Sequence, residues 1–311
     1  MEIIKDLLLI CVGVYCVISG ANLLTKGSVA IAERFHVPQI IIGLTIVALG
    51  TSLPELCVSL MSALSGTADM AVGNVIGSNI FNTLLIVGVA ALISPIVVAR
   101  STVRRDMVFA LFASLLLLFM CLDAELEIWE GLLLLTFFVG FMLLTIRDAT
   151  VGKTEKEEER QPVSWMKTAA WLVAGILLLP LGSYVFVGHA SNLALSLGMS
   201  EAVVGLTIVA GGTSLPELAT TIVAARKGES GIAIGNVLGS NVLNILFILG
   251  VTSAITPLHI SGITQVDYGM LIVSMAVFLL FSWTRFKIER WEGAALTSMF
   301  VAYMAWLIYN V

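Results

Sequence analysis

Residues 43–83 read GLTIVALGTSLPELCVSLMSALSGTADMAVGNVIGSNIFNT, and residues 205–245 read GLTIVAGGTSLPELATTIVAARKGESGIAIGNVLGSNVLNI. The two stretches align without a gap at a constant offset of 162, and 23 of 41 positions are identical. Shared apolar composition does not produce that identity, so the chain carries a duplicated segment. Each copy places a glutamate inside an apolar run, directly after a proline: Pro54-Glu55 and Pro216-Glu217.

The surroundings of the duplication point to a membrane. The 311 residues are 59% hydrophobic and 12% charged, with a mean hydropathy of +1.03, whereas soluble domains carry about a quarter charged residues. A crossing helix needs about 20 mostly apolar residues. Ten stretches qualify: Ile3–Leu24, Ile40–Leu64, Ala71–Val98, Met107–Leu122, Ile128–Ile146, Met166–Val187, Ala202–Ala225, Ile232–Ile255, Val266–Trp283 and Trp291–Tyr309. The expected fold is all-α and polytopic, with ten transmembrane helices arranged as two inverted five-helix repeats. The halves are expected at 1–147 and 166–311, joined by a linker at 148–165 that contains the mixed-charge run Lys153–Arg160. Met1–Leu24 lacks a basic leader and cleavage site, so it reads as a retained span. Cys11, Cys16, Cys57 and Cys121 lie in apolar segments without metal-ligand spacing and are expected to be small core residues. Nothing in the charge pattern points to a nucleic-acid partner; the expected surroundings are membrane lipid.

Threading the ten spans in order places 15 of the 16 Lys and Arg residues on one side, with Lys5 alone opposite. The basic side is the cytoplasmic one, which puts the linker in the cytoplasm and both termini outside a plasma or bacterial inner membrane. Five spans separate equivalent points of the two copies. An odd number reverses direction, so the copies should enter the membrane from opposite faces, the pattern of secondary transporters with a midplane site.

An ionisable side chain deep in an apolar span is costly and marks a functional position, which selects Glu55 and Glu217. Helical spacing sets Thr51 and Ser52 on the face of Glu55, and Thr213 and Ser214 on that of Glu217. Pro54 and Pro216 should free the carbonyls of Gly50 and Gly212 and break each helix there. Exposed carbonyls at membrane depth are tolerated where they line a cavity. A polar stripe of Asn74, Ser78 and Asn82 recurs as Asn236, Ser240 and Asn244; Asn74 and Asn236 read mainly as contacts between helices. Gly73 with Gly77, and Gly235 with Gly239, have the spacing of close helix approach. All these donors are hard oxygens. Calcium takes six to eight of them and favours carboxylates, whereas zinc or copper would call for His or Cys. His36, His189 and His259 lie outside both copies.

These motifs, GTSLPEL and GNxxGSNxxN, resemble the two alpha-repeats of the calcium/cation antiporter superfamily, and most closely its sodium/calcium exchanger branch. The resemblance implies a ten-helix fold with one calcium site and three sodium positions, open alternately to either side. Carried over by position, it implies a calcium site of Glu55 and Glu217 with the carbonyls of Thr51 and Thr213. It implies sodium positions of Ala48, Ser52 and Ser240 with Glu217, and of Ala210, Ser214 and Ser78 with Glu55, completed by Asn82 and Asn244. Some members carry an acid where this chain has Asn244, and that acid goes with the potassium-dependent branch, so the resemblance leans away from a potassium requirement. Sodium and calcium would be cargo, and no cofactor is implied. Proton/calcium exchange, another divalent cation and a passive cation channel remain open alternatives. No GxSxG or HExxH motif points to an enzyme.

Overall fold

In a bilayer every backbone polar group must be satisfied within the chain, which leaves helices as the spanning elements for this pattern. The computed structural model is built from them, and it describes residues 2–151, 163–198, 208 and 210–310. Helix α1 is Glu2–Phe35. A bent pair follows, α2 at Gln39–Thr51 and α3 at Leu53–Leu64, with 49° between them. Helices α4 (Ala68–Ile93) and α5 (Thr102–Asp123) come next, then α6 at Ile128–Val151 and α7 at Trp165–Ser196. The second half continues with α8 at Ala210–Thr213 and α9 at Leu215–Arg226, α10 at Ser230–Ile255, α11 at Gln265–Arg285 and α12 at Arg290–Asn310.

Eight helices among the described residues are long and apolar enough to cross a membrane, and the bent pair brings the number to nine. The tenth expected span, Ala202–Ala225, lies partly outside the described residues, as do Lys153–Arg160 of the linker. Two helices run well past their expected ends. The sequence reading stops the first span at Leu24, before Lys26, yet α1 continues to Phe35. Lys26 fits because its Nζ lies 5.9 Å from the ring centre of Trp171 on α7, which Lys167 also approaches at 5.1 Å. The apolar stem stays on the helix while the charge reaches an aromatic face. Helix α7 likewise extends to Ser196 rather than Val187. The cysteines are not uniformly core residues: Cys121 is buried, but Cys11 and Cys57 are exposed, on helices whose outer faces are apolar.

Burial sorts the helices into a centre and a periphery. Of the most apolar window, 94% is buried in α10 and 67% in α4, against 28% in α1 and 22% in α7. The backbones approach closely where α2 crosses α10. A Cβ on Gly235 would lie 2.5 Å from the Ile40 carbonyl oxygen and 2.8 Å from Gly43 Cα, and one on Gly239 would lie 2.7 Å from Leu44 Cα. For Gly73 and Gly77, the residues equivalent to Ile40, Gly43 and Leu44 are Ala202, Gly205 and Leu206, outside the described residues.

Both central helices widen at the same register. A π-helical turn spans Phe81–Ile86 in α4 and Leu243–Ile248 in α10, 162 residues apart. Such turns insert an extra residue and recur at functional sites. The connections repeat the offset too. Strand β1 (Ile96–Val97) pairs with β4 (Lys287–Ile288), and β2 (Glu125–Leu126) with β3 (Leu258–His259), both antiparallel. Each two-residue ribbon thus joins one loop of the first half to one of the second. Ala124 and Phe286, also 162 apart, both adopt the left-handed conformation, with φ of 64° and 52°.

Candidate cation site

The breaks fall beside the glutamates. Helix α2 ends at Thr51, Ser52 takes φ −86° and ψ 10°, and α3 restarts at Leu53. In the second half Ser214 takes φ −90° and ψ 9° before α9 restarts at Leu215. Pro54 and Pro216 therefore sit in the first turn of a new helix, where the missing N–H costs no hydrogen bond. Glu55 and Glu217 occupy those same first turns, at the end of a helix that favours negative charge. Both are buried, at 1% and 0% exposure.

Each carboxylate is held from the opposite half. Ser52 Oγ donates to Glu217 Oε1 at 2.8 Å, and Ser214 Oγ donates to Glu55 Oε1 at 3.0 Å. Ser240 Oγ lies 3.4 Å from Glu217 Oε1, and Ser78 Oγ lies 3.2 Å from Ser214 Oγ. The four serines singled out in the sequence thus converge on the two glutamates. Asn74 Nδ2 donates to the Glu55 carbonyl at 3.2 Å and to Ser59 Oγ at 2.9 Å, and Asn236 Nδ2 does the same to the Glu217 carbonyl at 3.2 Å and Thr221 Oγ1 at 3.0 Å. These two asparagines fasten the restarted helices to α4 and α10, as their helix-contact reading expects. Thr51 Oγ1 bonds Asn236 Oδ1 at 3.0 Å and the Ala48 carbonyl at 3.2 Å. Thr213 closes α8, and Ala210 opens it.

Four buried oxygens in this group have no hydrogen-bond partner among the described residues: Glu55 Oε2, Glu217 Oε2, Asn82 Oδ1 and Asn244 Oδ1. Buried acceptors without a partner carry a desolvation cost, which a cation at the site would offset. By helical spacing Asn82 lies on the face of Ser78, which it follows by four residues, and Asn244 on that of Ser240. One expected carbonyl is already occupied: Ser183 Oγ on α7 donates to the Gly212 carbonyl. Sequence reasoning missed Ser183, and it missed Asn79, Asn241 and Thr83, which form a buried amide network beside Asn82 and Asn244. The identity of the GSN triplet in both copies was the available signal for Asn79 and Asn241.

The histidines stand apart. His36 follows α1, His189 Nδ1 lies 2.8 Å from Asp6, and His259 Nδ1 lies 3.1 Å from Glu125 in the β2–β3 ribbon. Among the described residues no three His, Cys, Asp or Glu side chains cluster, so the site combines two carboxylates with neutral oxygens.

The family model described as sodium/calcium exchanger protein matches residues 5–147 and again 167–309. The chain belongs to the sodium/calcium exchanger protein family. It is 36% identical to the inner membrane protein YrbG of Escherichia coli, over 97% of this chain and 96% of that one. It is 31% identical to the sodium/calcium exchanger MaX1 of Methanosarcina acetivorans, over 98% and 99%. A solved structure of the sodium-calcium exchanger NCX_Mj, soaked with sodium and calcium, superposes with a TM-score of 0.85 at 30% identity, covering 97% of this chain and 98% of that one. Membership makes this chain an integral membrane antiporter of the cation/calcium class.

Proposed function

We propose that the chain exchanges sodium for calcium by alternating access, with three sodium ions per calcium ion, and carries out no chemical conversion. Calcium is bound by Glu55 and Glu217 with the carbonyls of Thr51 and Thr213. Sodium is bound by Ala48, Ser52 and Ser240 with Glu217, by Ala210, Ser214 and Ser78 with Glu55, and between them near Asn82 and Asn244. The observation that carries this reading is the set of four buried, unpartnered oxygens, two from glutamates and two from amides. A neutral-oxygen set with two carboxylates suits hard cations.

The architecture is ten helices in two inverted halves, 1–147 and 166–311, with 148–165 as a cytoplasmic linker. Support comes from the offset of 162, which recurs in the π-helical turns, in both ribbons and in the crossed serine–glutamate bonds. The two segments matched by the family model also start and end 162 residues apart. Contacts between loops support the threading, because each joins loops assigned to the same side: β1 with β4 and Gln39 with Glu229 on one, β2 with β3 and Asp69 with Ser261 on the other; which side is cytoplasmic rests on the basic residues.

Calcium uptake into proteoliposomes, with sodium, potassium and pH gradients varied one at a time, tests the reading. Uptake that follows the sodium gradient, and neither of the others, is the expected result. Protons can occupy the same two carboxylates, which makes proton/calcium exchange the second reading. Uptake driven by the pH gradient alone would establish it in place of the first.

A further inference from the structure

An asparagine offers a cation only its oxygen; turned over, the same side chain presents two N–H donors. Asn82 and Asn244 are both buried, at 1% and 0% exposure, and in both the oxygen is the atom left without a partner. Something sets that orientation. Asn79 Nδ2 donates to the main-chain carbonyl of Asn241 at 3.1 Å, and a carbonyl can only accept. The amide of Asn79 is therefore fixed, with Oδ1 turned to Asn244, whose Nδ2 donates to it at 2.9 Å. Asn244 has then spent its donor side, and its oxygen faces the other way. The counterpart runs through Asn241: its Nδ2 donates to Thr83 Oγ1 at 2.8 Å, and its Oδ1 accepts from Asn82 Nδ2 at 3.2 Å. Asn79, Asn241 and Thr83 are at most 4% exposed, so water does not compete for these bonds.

Both clamps cross the duplication, Asn79 of the first half acting on Asn244 and Asn241 of the second half acting on Asn82. Their anchors differ. The residue equivalent to Thr83 is Ile245, which has no hydroxyl, and the main-chain carbonyl of Asn241 serves Asn79 in its stead.

We propose that Asn79 and Asn241 are positioning residues that lock the amides of Asn244 and Asn82 with their oxygens turned to the transported cation. This rests on the reading that Asn82 and Asn244 face that cation. An aspartate at 244 would need no clamp, because its two oxygens are equivalent, and this separates amide orientation from general packing. Sodium-driven uptake of radioactive calcium into proteoliposomes is measured for the wild type, Asn79→Leu, Asn244→Asp and the double variant. Asn79→Leu should raise the apparent KM for sodium, read as the half-saturating sodium concentration of that uptake, about tenfold, the scale of one lost buried contact. In the Asn244→Asp background the same change should not raise KM, because there is no amide to orient and Asn79 Oδ1 faces a carboxylate oxygen instead of an N–H. An equal rise in both backgrounds, or no rise in either, overturns the clamp. Asn244→Ala tests the reading beneath it: an unchanged KM there removes Asn244 from the site, whatever Asn79 does. If Asn79→Leu fails to fold, Thr83→Val frees the Asn241 amide and is read against Asn82→Asp in the same way. A KM rise that disappears in the Asn82→Asp background supports the lock, and one that persists overturns it.

Discussion

Glu55 Oε1 and Glu217 Oε1 are each held by a serine of the opposite half, so a change at either glutamate reaches both copies of the duplicated segment. Glu55→Gln or Glu217→Gln keeps the side-chain shape and removes one of the two negative charges facing the cation. Losing one buried charge partner costs about 3 kcal/mol or more, about a hundredfold in binding. Calcium uptake by either variant should fall at least that far while the purified protein remains monodisperse and keeps its helical circular dichroism. Uptake near the wild-type rate in one variant would take that glutamate out of the site. These two residues were legible in the sequence because a lone carboxylate in an apolar span has few structural explanations. Asn79 was not, because a spacing of four selects Asn74, Ser78 and Asn82 as one stripe, and Asn79 stands about 100° away around the helix. Its role depends on a partner in the other half, which spacing within one helix does not reveal.

The helix breaks were legible for a related reason. Glycine two residues before Ser52 and Ser214, with proline two residues beyond, disfavours a continuous helix, and both breaks lie at those serines. The π-helical turns at Phe81–Ile86 and Leu243–Ile248 carry no such signature, since an extra residue in a turn is stabilised by tertiary contacts rather than by a residue type. The two-residue ribbons are too short for any alternation to show, and the first span was ended before Lys26 and the sixth before Gly188-His189, whereas both helices continue. Close packing of α2 on α10 gives a prediction at this scale. Gly235→Ala forces a methyl group to 2.5 Å from the Ile40 carbonyl oxygen and 2.8 Å from Gly43 Cα, and overpacking of this kind costs about 1–3 kcal/mol. Its melting temperature in detergent, followed by fluorescence-detected gel filtration, should fall clearly below that of the wild type. Gly140→Ala is the control, because a Cβ there meets nothing within 4 Å among the described residues. Equal melting temperatures for the two variants would show that the α2–α10 crossing accommodates a methyl group.

At the scale of the molecule, the proposed inversion of the two halves about one site, together with the basic residues that set its orientation, gives a test of sidedness and a test of charge. A single cysteine at Asn310 in a cysteine-free background should react with an impermeant maleimide in intact cells, whereas one at Lys167 should react only after lysis. Labelling of Lys167 in intact cells would reverse the orientation and leave the internal repeat untouched. The charge carried per cycle is set by the ligands. Glu55 and Glu217 supply at most two negative charges, and Asn82 and Asn244 add none. Under the stoichiometry proposed above, calcium neutralises the pair, whereas three sodium ions leave one positive charge in excess. The loaded forms therefore differ by one unit, and a cycle that returns each in turn moves one net charge. A unit charge crossing the membrane potential is worth about 2.3 kcal/mol per 100 mV, about a fiftyfold change in the calcium ratio that balances a fixed sodium gradient. In vesicles with fixed ion gradients, clamping the potential with valinomycin and potassium should shift the calcium level at which net flux vanishes. That reversal level is the quantity to measure, because a rate responds to voltage whenever any step moves charge, but an equilibrium responds only when the whole cycle does. A reversal level that ignores the clamp would mean two sodium ions per calcium, and one of the three sodium positions drawn around Ser52, Ser214, Asn82 and Asn244 would then go unused.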